Sequence, residues 1–299
     1  MAATTTAEAP RKPAGRALAG FLWRRPRVRL GLLLAGPIGW LVIAYLGSLA
    51  VLFAAAFWHL DTFSGEIVRG FSLDNFQTLA EKDVYRSIVA RTVLIAAAVT
   101  VTDALLAFPI AFYMAKVART RTRGLLVVAV VMPLWSSYLV KVYAWRIILA
   151  EDGILNWALG PLGLSGPGFG DVATWLVFSY LWLPFMILPV YAALERIPDS
   201  LLDASGDLGA AAGRTVRSVI LPLALPGVVA GSIFTFSLTL GDYITPQIVS
   251  STQFIGNVVY TNVGVANNLP LAAAFATVPV VIMVLYLLGA RRLGAFESL

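Results

Sequence analysis

The sequence predicts an all-α integral membrane protein with six transmembrane helices. Apolar residues make up 59% of its 299 residues and charged residues only 13%, whereas a soluble domain carries about twice that share of charge. The mean hydropathy of +0.82 agrees. A span takes about 20 mainly apolar residues. The runs that meet this length lie at about 30–58, 88–115, 124–149, 172–194, 223–249 and 271–290.

The distribution of Lys and Arg predicts that both termini are cytoplasmic. With six spans, one side receives seven basic residues before the first span, four after the second, three after the fourth and two after the sixth, and the other side receives four. Cytoplasmic loops are enriched in Lys and Arg, so the net charge of +6 indicates topology rather than nucleic-acid binding. We interpret residues 1–29 as a cytoplasmic basic arm, suited to anionic lipid, and residues 30–299 as the transmembrane domain.

The sequence has few of the residues that form metal sites or catalytic clusters. The chain has no Cys, and its one His, His59, lies at the end of an apolar run, where an interfacial role is usual. No Lys follows a Gly, so the chain has no P-loop for ATP. Ser136 and Ser137 lie near Lys141 at the spacing of a Ser–Lys dyad, but no further catalytic cluster accompanies them. We expect no enzyme activity, no metal and no cofactor bound by this chain.

The segment 195–222 is unusual for a cytoplasmic loop, because it predicts two short helices joined by a glycine turn. Asp199 and Ser200 are good N-cap residues for the first helix, and Asp203 is placed as the capping-box partner of Ser200. Gly209 permits a turn with positive φ. The second helix is predicted from about Thr215 to Leu221.

The first of these helices predicts an exposed apolar stripe. Leu201, Ala204 and Leu208 share one helical face. An exposed stripe of this kind suits a partner surface.

This segment resembles the EAA loop of ABC importer permeases, which reads Glu-Ala-Ala, three residues, Gly, nine residues, Ile, one residue and Leu-Pro. The matching positions are Asp203-Ala204-Ser205, Gly209, Val219 and Leu221-Pro222. The resemblance implies a type I importer permease (MetI-like) fold in a bacterial inner membrane, with a coupling helix that contacts a separate ATPase subunit. The residues that it assigns to this contact are Leu201, Leu202, Asp203, Ala204, Ser205, Asp207, Leu208 and Gly209.

Three further stretches resemble the B-type subunit of spermidine/putrescine permeases: MPLWSSYLVKVYAWRIILAEDGILN at 132–156, LGDYITPQI at 240–248 and FIGNVVYTNVGVANNLPLAAA at 254–274. The resemblance implies polyamine import by a heterodimer with a second permease, two ATPase subunits that bind ATP and Mg, and an extracytoplasmic binding protein. Permeases for sulfate, molybdate or an organic cation share this architecture and remain alternatives. A self-contained secondary carrier is a third hypothesis, but it does not account for the EAA-like loop.

Two acids lie within the predicted spans, Asp103 and Asp242. Ionisable residues at membrane depth are costly and suggest function. We interpret both as candidates for a substrate pathway, and Asp242 as the acid that a passing cation meets.

Aromatic residues near Asp242 suit a cation through their π faces. The predicted aromatic wall consists of Tyr243, Trp135 and Tyr138. The alternative roles are structural. Asp242 then forms an ion pair with Lys141 or Arg146, and Asp103 accepts a hydrogen bond from Ser or Thr neighbours.

Overall fold

The computed structural model describes residues 23–61 and 63–292, so most of the predicted basic arm lies outside the described residues. The described chain divides into two compact units, with the boundary between residues 54 and 55. Two short strands, β1 (His59–Leu60) and β2 (Ile67–Val68), pair antiparallel. The α-helices are α1 (Pro26–Trp40), α2 (Gly47–Ala55), α3 (Asp74–Glu81), α4 (Asp83–Phe112), α5 (Thr120–Trp135), α6 (Tyr138–Leu149), α7 (Ile154–Leu159), α8 (Asp171–Glu195), α9 (Asp199–Asp207), α10 (Ala212–Thr215), α11 (Leu221–Gly241), α12 (Ile244–Val249), α13 (Ile255–Gly264) and α14 (Leu269–Arg292).

Five continuous helical runs are long and apolar enough to cross a membrane, and they confirm five of the predicted spans. Within the described residues they are Pro26–Ala55, Asp83–Val117, Asp171–Glu195, Ala212–Gly241 and Leu269–Arg291. Three π-helical turns lie inside or at the end of these runs, at Leu41–Leu46, Tyr113–Val117 and Val216–Ile220. The predicted second short helix near Thr215 is therefore not separate, because it continues directly into α11.

The predicted span 124–149 is not one straight helix. Its two halves, α5 and α6, meet at an angle of 92° across Ser136 and Ser137. The described chain therefore has six spans only when this bent pair is counted as one.

The predicted span 223–249 is also interrupted, because α11 ends at Gly241 and the backbone is not helical at Asp242. The short helix α12 then begins at Ile244. Each interruption frees backbone N–H and C=O groups from helical hydrogen bonds. In an apolar environment these groups need hydrogen-bond partners within the protein.

The centre of the second unit is formed by α4, α8 and α11, which make its most extensive packing contacts. Near one end, Met114 packs with Val190 and Leu194 of α8 and with Ile220 just before α11. Nearer the other end, Phe178 of α8 packs with a cluster that includes Val142 of α6 and Val249 of α12. The same bundle therefore holds both interrupted helices.

Close approach of α8 and α11 depends on small residues. A Cβ atom at Gly227 would lie 2.5 Å from Cβ of Ala193 and 2.7 Å from the carbonyl oxygen of Pro189. Small residues let membrane helices pack with their backbones close together. The site cannot relax by moving a flexible side chain, because a backbone oxygen is in the way.

We expect Gly227→Ala to lower the melting temperature of the purified protein. The overpacking costs about 1–3 kcal/mol, which outweighs the roughly 1 kcal/mol that Ala gains over Gly in a helix. The matched control is Gly289→Ala on α14, where a Cβ atom meets nothing within 4 Å. Thermal unfolding in detergent measures both, and equal or higher stability of the Gly227 variant would contradict this packing.

Candidate functional site

The interruption after α11 is built around the carboxylate of Asp242. Its Oδ1 accepts the backbone N–H of Ile244 at 2.8 Å and that of Thr245 at 3.0 Å, so Asp242 caps the start of α12. The amide of Asn257 on α13 donates to the carbonyl of Tyr243 at 2.8 Å. Gly256 lies against the same backbone, where a Cβ atom would come within 2.9 Å of the Asp242 carbonyl oxygen. Three backbone groups at the interruption, the N–H groups of Ile244 and Thr245 and the carbonyl of Tyr243, therefore have side-chain partners.

The first residue of α6 ties the two interrupted helices together. The hydroxyl of Tyr138 donates to Oδ2 of Asp242. The hydroxyl oxygen of Thr245 lies 2.6 Å from the Tyr138 oxygen and 3.2 Å from Oδ2. Asp242 thus receives two backbone and two hydroxyl donors, which hold the carboxylate in a fixed orientation.

A cavity of about 430 Å³ lies beside this carboxylate. Trp182 of α8 stacks on Tyr138 with ring centroids 6.0 Å apart, and Tyr243 stacks on Tyr260 at 4.8 Å. The lining residues are Tyr138, Trp182, Ser237, Leu238, Gly241, Asp242, Tyr243 and Ile244. Among these described lining residues there is one carboxylate, several aromatic faces and no Lys or Arg, a combination that suits an organic cation.

The predicted ion pair of Asp242 is wrong, because both candidate cations bind backbone carbonyls instead. Nζ of Lys141 donates to the Pro133 carbonyl at 3.0 Å, at the end of α5. The guanidinium of Arg146 donates to the Ile248 carbonyl at 3.3 Å and lies 5.7 Å from the ring centroid of Phe169. Both carbonyls lie near helix ends, where the last carbonyls lack part of their intrahelical donors. The Pro133 carbonyl also accepts a hydrogen bond from the Ser136 hydroxyl at 2.8 Å. The two cations therefore bind backbone at helix ends rather than Asp242.

Two other predicted pathway residues lie away from the cavity. Trp135 is 87% exposed at the end of α5. Asp103 is fully buried in α4, and within the described chain neither of its oxygens has a hydrogen-bond partner. Ser179 of α8 is nevertheless the hydroxyl neighbour of this carboxyl, as the predicted interaction with a Ser or Thr requires, although no hydrogen bond of normal geometry joins them. Thr100 instead donates to the Ala96 carbonyl of its own helix at 2.7 Å.

The EAA-like loop contains the expected helix and glycine turn. The helix α9 begins at Asp199 after Pro198, without a side-chain cap, so the predicted N-cap and capping box of Ser200 and Asp203 are not formed. Gly209 has φ +75°. The N–H groups of Gly209 and Ala210 donate to the carbonyls of Gly206 and Ser205 at 2.8 and 3.0 Å, which is a Schellman turn.

Not all eight residues predicted to contact an ATPase are accessible. Leu202 packs against the buried cluster between α4 and α8, and the half-buried Ser205 bonds the Thr215 hydroxyl at 2.8 Å. The exposed members are Leu201, Asp203, Ala204, Asp207, Leu208 and Gly209. Leu208 is 88% exposed at the end of α9, so the predicted apolar stripe is on the surface.

The structure adds site residues that the sequence did not indicate. Trp182 lies in a uniformly apolar and aromatic span and carries no signal of its own. The sequence identifies Lys116 and Arg123 only as basic residues of the turn after the second span. In the structure, Arg123 donates to Glu195 at 3.3 Å and to the Ala115 carbonyl at 2.9 Å. The contacts of Lys116 are with Ile197 and Asp199, at the start of the EAA-like loop.

We expect Tyr138→Phe to destabilise the purified protein by about 1–3 kcal/mol, because the variant removes a hydrogen bond to a charged group and leaves the aromatic stack in place. The matched control is Tyr143→Phe on the same helix, whose side chain is exposed. Thermal unfolding in detergent measures the difference. Equal melting temperatures for the two variants would show that the link between the interrupted helices contributes nothing.

Comparisons with known proteins agree with this architecture. The family model described as binding-protein-dependent transport system inner membrane component matches residues 83–294. The chain is 46% identical over 308 aligned residues to the inner membrane ABC transporter permease protein YdcU of Escherichia coli (strain K12), covering 98% of each chain. It is 30% identical over 220 residues to the spermidine/putrescine transport system permease protein PotB of Haemophilus influenzae, covering 72% of this chain and 76% of that one.

The fold is shared with a solved transporter. A chain of the bacterial alginate ABC transporter, in complex with alginate pentasaccharide-bound periplasmic protein, superposes with a TM-score of 0.69 at 16% identity, covering 91% of this chain and 94% of that one. The matched family segment includes α4 to α14, together with the EAA-like loop. This chain therefore belongs to the binding-protein-dependent transport system inner membrane component family and is an ABC importer permease with a type I fold, located in the bacterial inner membrane.

Proposed function

We propose that this chain forms half of the pore of an ATP-driven importer for polyamines such as spermidine and putrescine. A second, similar permease completes the pore, two ATPase subunits with bound ATP and Mg drive it, and an extracytoplasmic binding protein delivers the substrate. The permease PotB, whose name includes spermidine and putrescine, supports the substrate class. The more similar YdcU carries no substrate in its name.

The cavity beside Asp242 is the observation that carries the substrate proposal. A polyamine is a flexible chain of ammonium groups joined by methylene spacers. The cavity offers a carboxylate for an ammonium group, and the faces of Tyr138 and Trp182 offer cation–π contact. The carboxylate is already held by four donors, so it does not have to be reoriented when a cation arrives.

The same cavity argues against sulfate or molybdate. A site for these anions would use Lys or Arg, or the N–H groups of a helix N-terminus. The described cavity lining contains no basic residue, and the nearby N–H groups of Ile244 and Thr245 are occupied by Asp242. An organic cation other than a polyamine remains the competing substrate.

Energy coupling is assigned to the exposed face of α9. Leu201, Ala204 and Leu208 form an apolar stripe, and Asp203 and Asp207 flank it. A short amphipathic helix of this kind suits an apolar cleft on a partner, in the manner of helix-in-groove recognition. We infer that the partner is the ATPase subunit and that α9 lies on the cytoplasmic side.

Reconstitution of the complete complex in proteoliposomes tests the proposal. The rate of ATP hydrolysis is measured with binding protein loaded with spermidine, putrescine, a quaternary organic cation or sulfate. We expect stimulation by the polyamines alone. Stimulation only by the quaternary cation or by sulfate would refute the polyamine assignment, and failure of any ATPase to join the complex would refute the coupling assignment.

We expect Asp242→Asn to reduce polyamine uptake by about 10-fold or more, because a lost interaction with a charged group is worth roughly 1.5–3 kcal/mol. Assembly and basal ATP hydrolysis should persist, since the side-chain oxygen of Asn can accept the same backbone N–H groups of Ile244 and Thr245. The control is Asp74→Asn, which neutralises an exposed acid on α3. Normal uptake by the Asp242 variant would contradict a pathway role, and loss of assembly would show that the residue is structural.

We expect Gly209→Ala to weaken ATPase binding about 5- to 30-fold, because a side chain in the left-handed region costs about 1–2 kcal/mol. The matched control is Gly213→Ala, four residues later within α10, where φ is not positive and a Cβ atom meets nothing within 4 Å. Titration of the detergent-purified permease pair with ATPase subunit gives both affinities. Equal affinities would show that the Schellman turn does not shape the docking surface.

A further inference from the structure

Lys116 is a buried cation at the base of the EAA-like loop. It lies in the π-helical turn Tyr113–Val117 that ends the second span, and its side chain is only 8% exposed. Its Nζ donates to the Ile197 carbonyl at 2.5 Å and to Oδ1 of Asp199 at 2.8 Å. A single ammonium group therefore joins the second span to the loop that follows the fourth span.

These two acceptors lie on either side of Pro198. The Ile197 carbonyl follows the last turn of α8, where carbonyls lack intrahelical donors and a cation is favourable. Asp199 is the first residue of α9. The hydrogen bond from Lys116 lowers the pKa of the Asp199 carboxyl below its usual value, so the carboxylate stays charged until the pH falls below the ordinary range for Asp.

Apolar packing surrounds this connection. Ala115, beside Lys116, and Ile197 belong to one buried cluster, and Leu202 of α9 packs against it. A long side chain that buries its methylene stem in such a cluster keeps its charged end in one place. The ammonium group is thus held where α8 ends and α9 begins.

The other basic residues of the turn do not make this connection. Arg119 and Arg121 are exposed, and the described chain shows no hydrogen bond from either side chain. Arg123 donates its hydrogen bonds to Glu195 at the end of α8 and to the Ala115 carbonyl, and it acts on Asp199 of α9 only through its charge. The positive-inside rule requires only that this turn be rich in Lys and Arg. It does not explain why one of the four basic residues is buried against the loop.

We propose that Lys116 is a positioning residue for energy coupling, which makes α9 and the end of the second span move together when the ATPase displaces α9. The inference rests on the proposed contact between α9 and the ATPase. In rigid-body switching, a packed connection carries a displacement from one element to the next. Without Lys116, α9 still binds the ATPase, but its movement is no longer delivered to the second span.

The test compares Lys116→Met, Lys116→Arg and the control Arg119→Met in the complete complex in proteoliposomes. Basal ATP hydrolysis and polyamine uptake are measured in the same preparation, and their ratio gives uptake per ATP. For Lys116→Met we expect hydrolysis within about 2-fold of the unmodified protein and a ratio reduced by about 10-fold or more, as suits a lost charged hydrogen bond. Lys116→Arg should retain most of the ratio, and Arg119→Met all of it.

A normal ratio in Lys116→Met overturns the inference, and so does a ratio in Lys116→Arg as low as in Lys116→Met. If Lys116→Met does not assemble, Asp199→Asn takes its place, because it weakens the same contact from a side chain that is 82% exposed. A normal ratio in that variant overturns the inference as well. If the unmodified chain binds no ATPase, the proposed function fails first and this inference fails with it.

Discussion

The hydrogen bond between Tyr138 and Asp242 joins two helices that are both interrupted in apolar parts of the chain. An interruption there is tolerated only when the freed backbone groups find partners within the protein. Asp242 supplies acceptors for two N–H groups, Asn257 supplies a donor for the Tyr243 carbonyl, and Lys141 supplies one for the Pro133 carbonyl. The cavity lies beside the second interruption, and Tyr138 and Asp242 border it.

This arrangement changes the meaning of the charged residues in the spans. If Lys141 and Arg146 lined the pathway, their positive charges would repel a cation. Their positions on backbone carbonyls remove that objection, because neither lines the cavity beside Asp242. Asp242 combines the two roles that the sequence presents as alternatives: it caps a helix with Oδ1, and its carboxylate borders the cavity.

The sequence predicts the amount of membrane-spanning helix but not where the helices are interrupted. Composition reports whether a run is apolar, and it locates four spans to within about five residues at each end. The predicted span 223–249 misses at both ends, because α10 merges into α11 at its start and the helix breaks after Gly241. Proline does not identify the interruptions, because Pro109, Pro184 and Pro279 lie inside continuous helices whereas the break at Asp242 contains no proline. The ion-pair hypothesis for Asp242 is wrong for the same reason. Lys141 and Arg146 bind backbone carbonyls near helix ends, and the sequence does not show where those ends are.

The EAA-like loop is better predicted in its first helix and its glycine turn, whose signals are local, although the predicted capping box is not formed. The helix and the positive φ of Gly209 follow from residue spacing and from the conformational freedom of glycine. The inward positions of Leu202 and Lys116 are not local, because they depend on α4 and α8 packing against the loop. The apolar stripe of α9 and the distribution of Lys and Arg identify residues by type. Neither pattern shows which of these residues are buried.

The proposed transmission of ATPase action to this permease through α9 can be tested with a single cysteine. The chain has no Cys, so Leu208→Cys introduces a single thiol at an 88% exposed position of the stripe. A photoactivatable cross-linker on this thiol is irradiated in the assembled complex, and the products are identified by mass spectrometry. We predict a cross-link to the ATPase subunit. Cross-links only to this chain or to lipid would contradict the account.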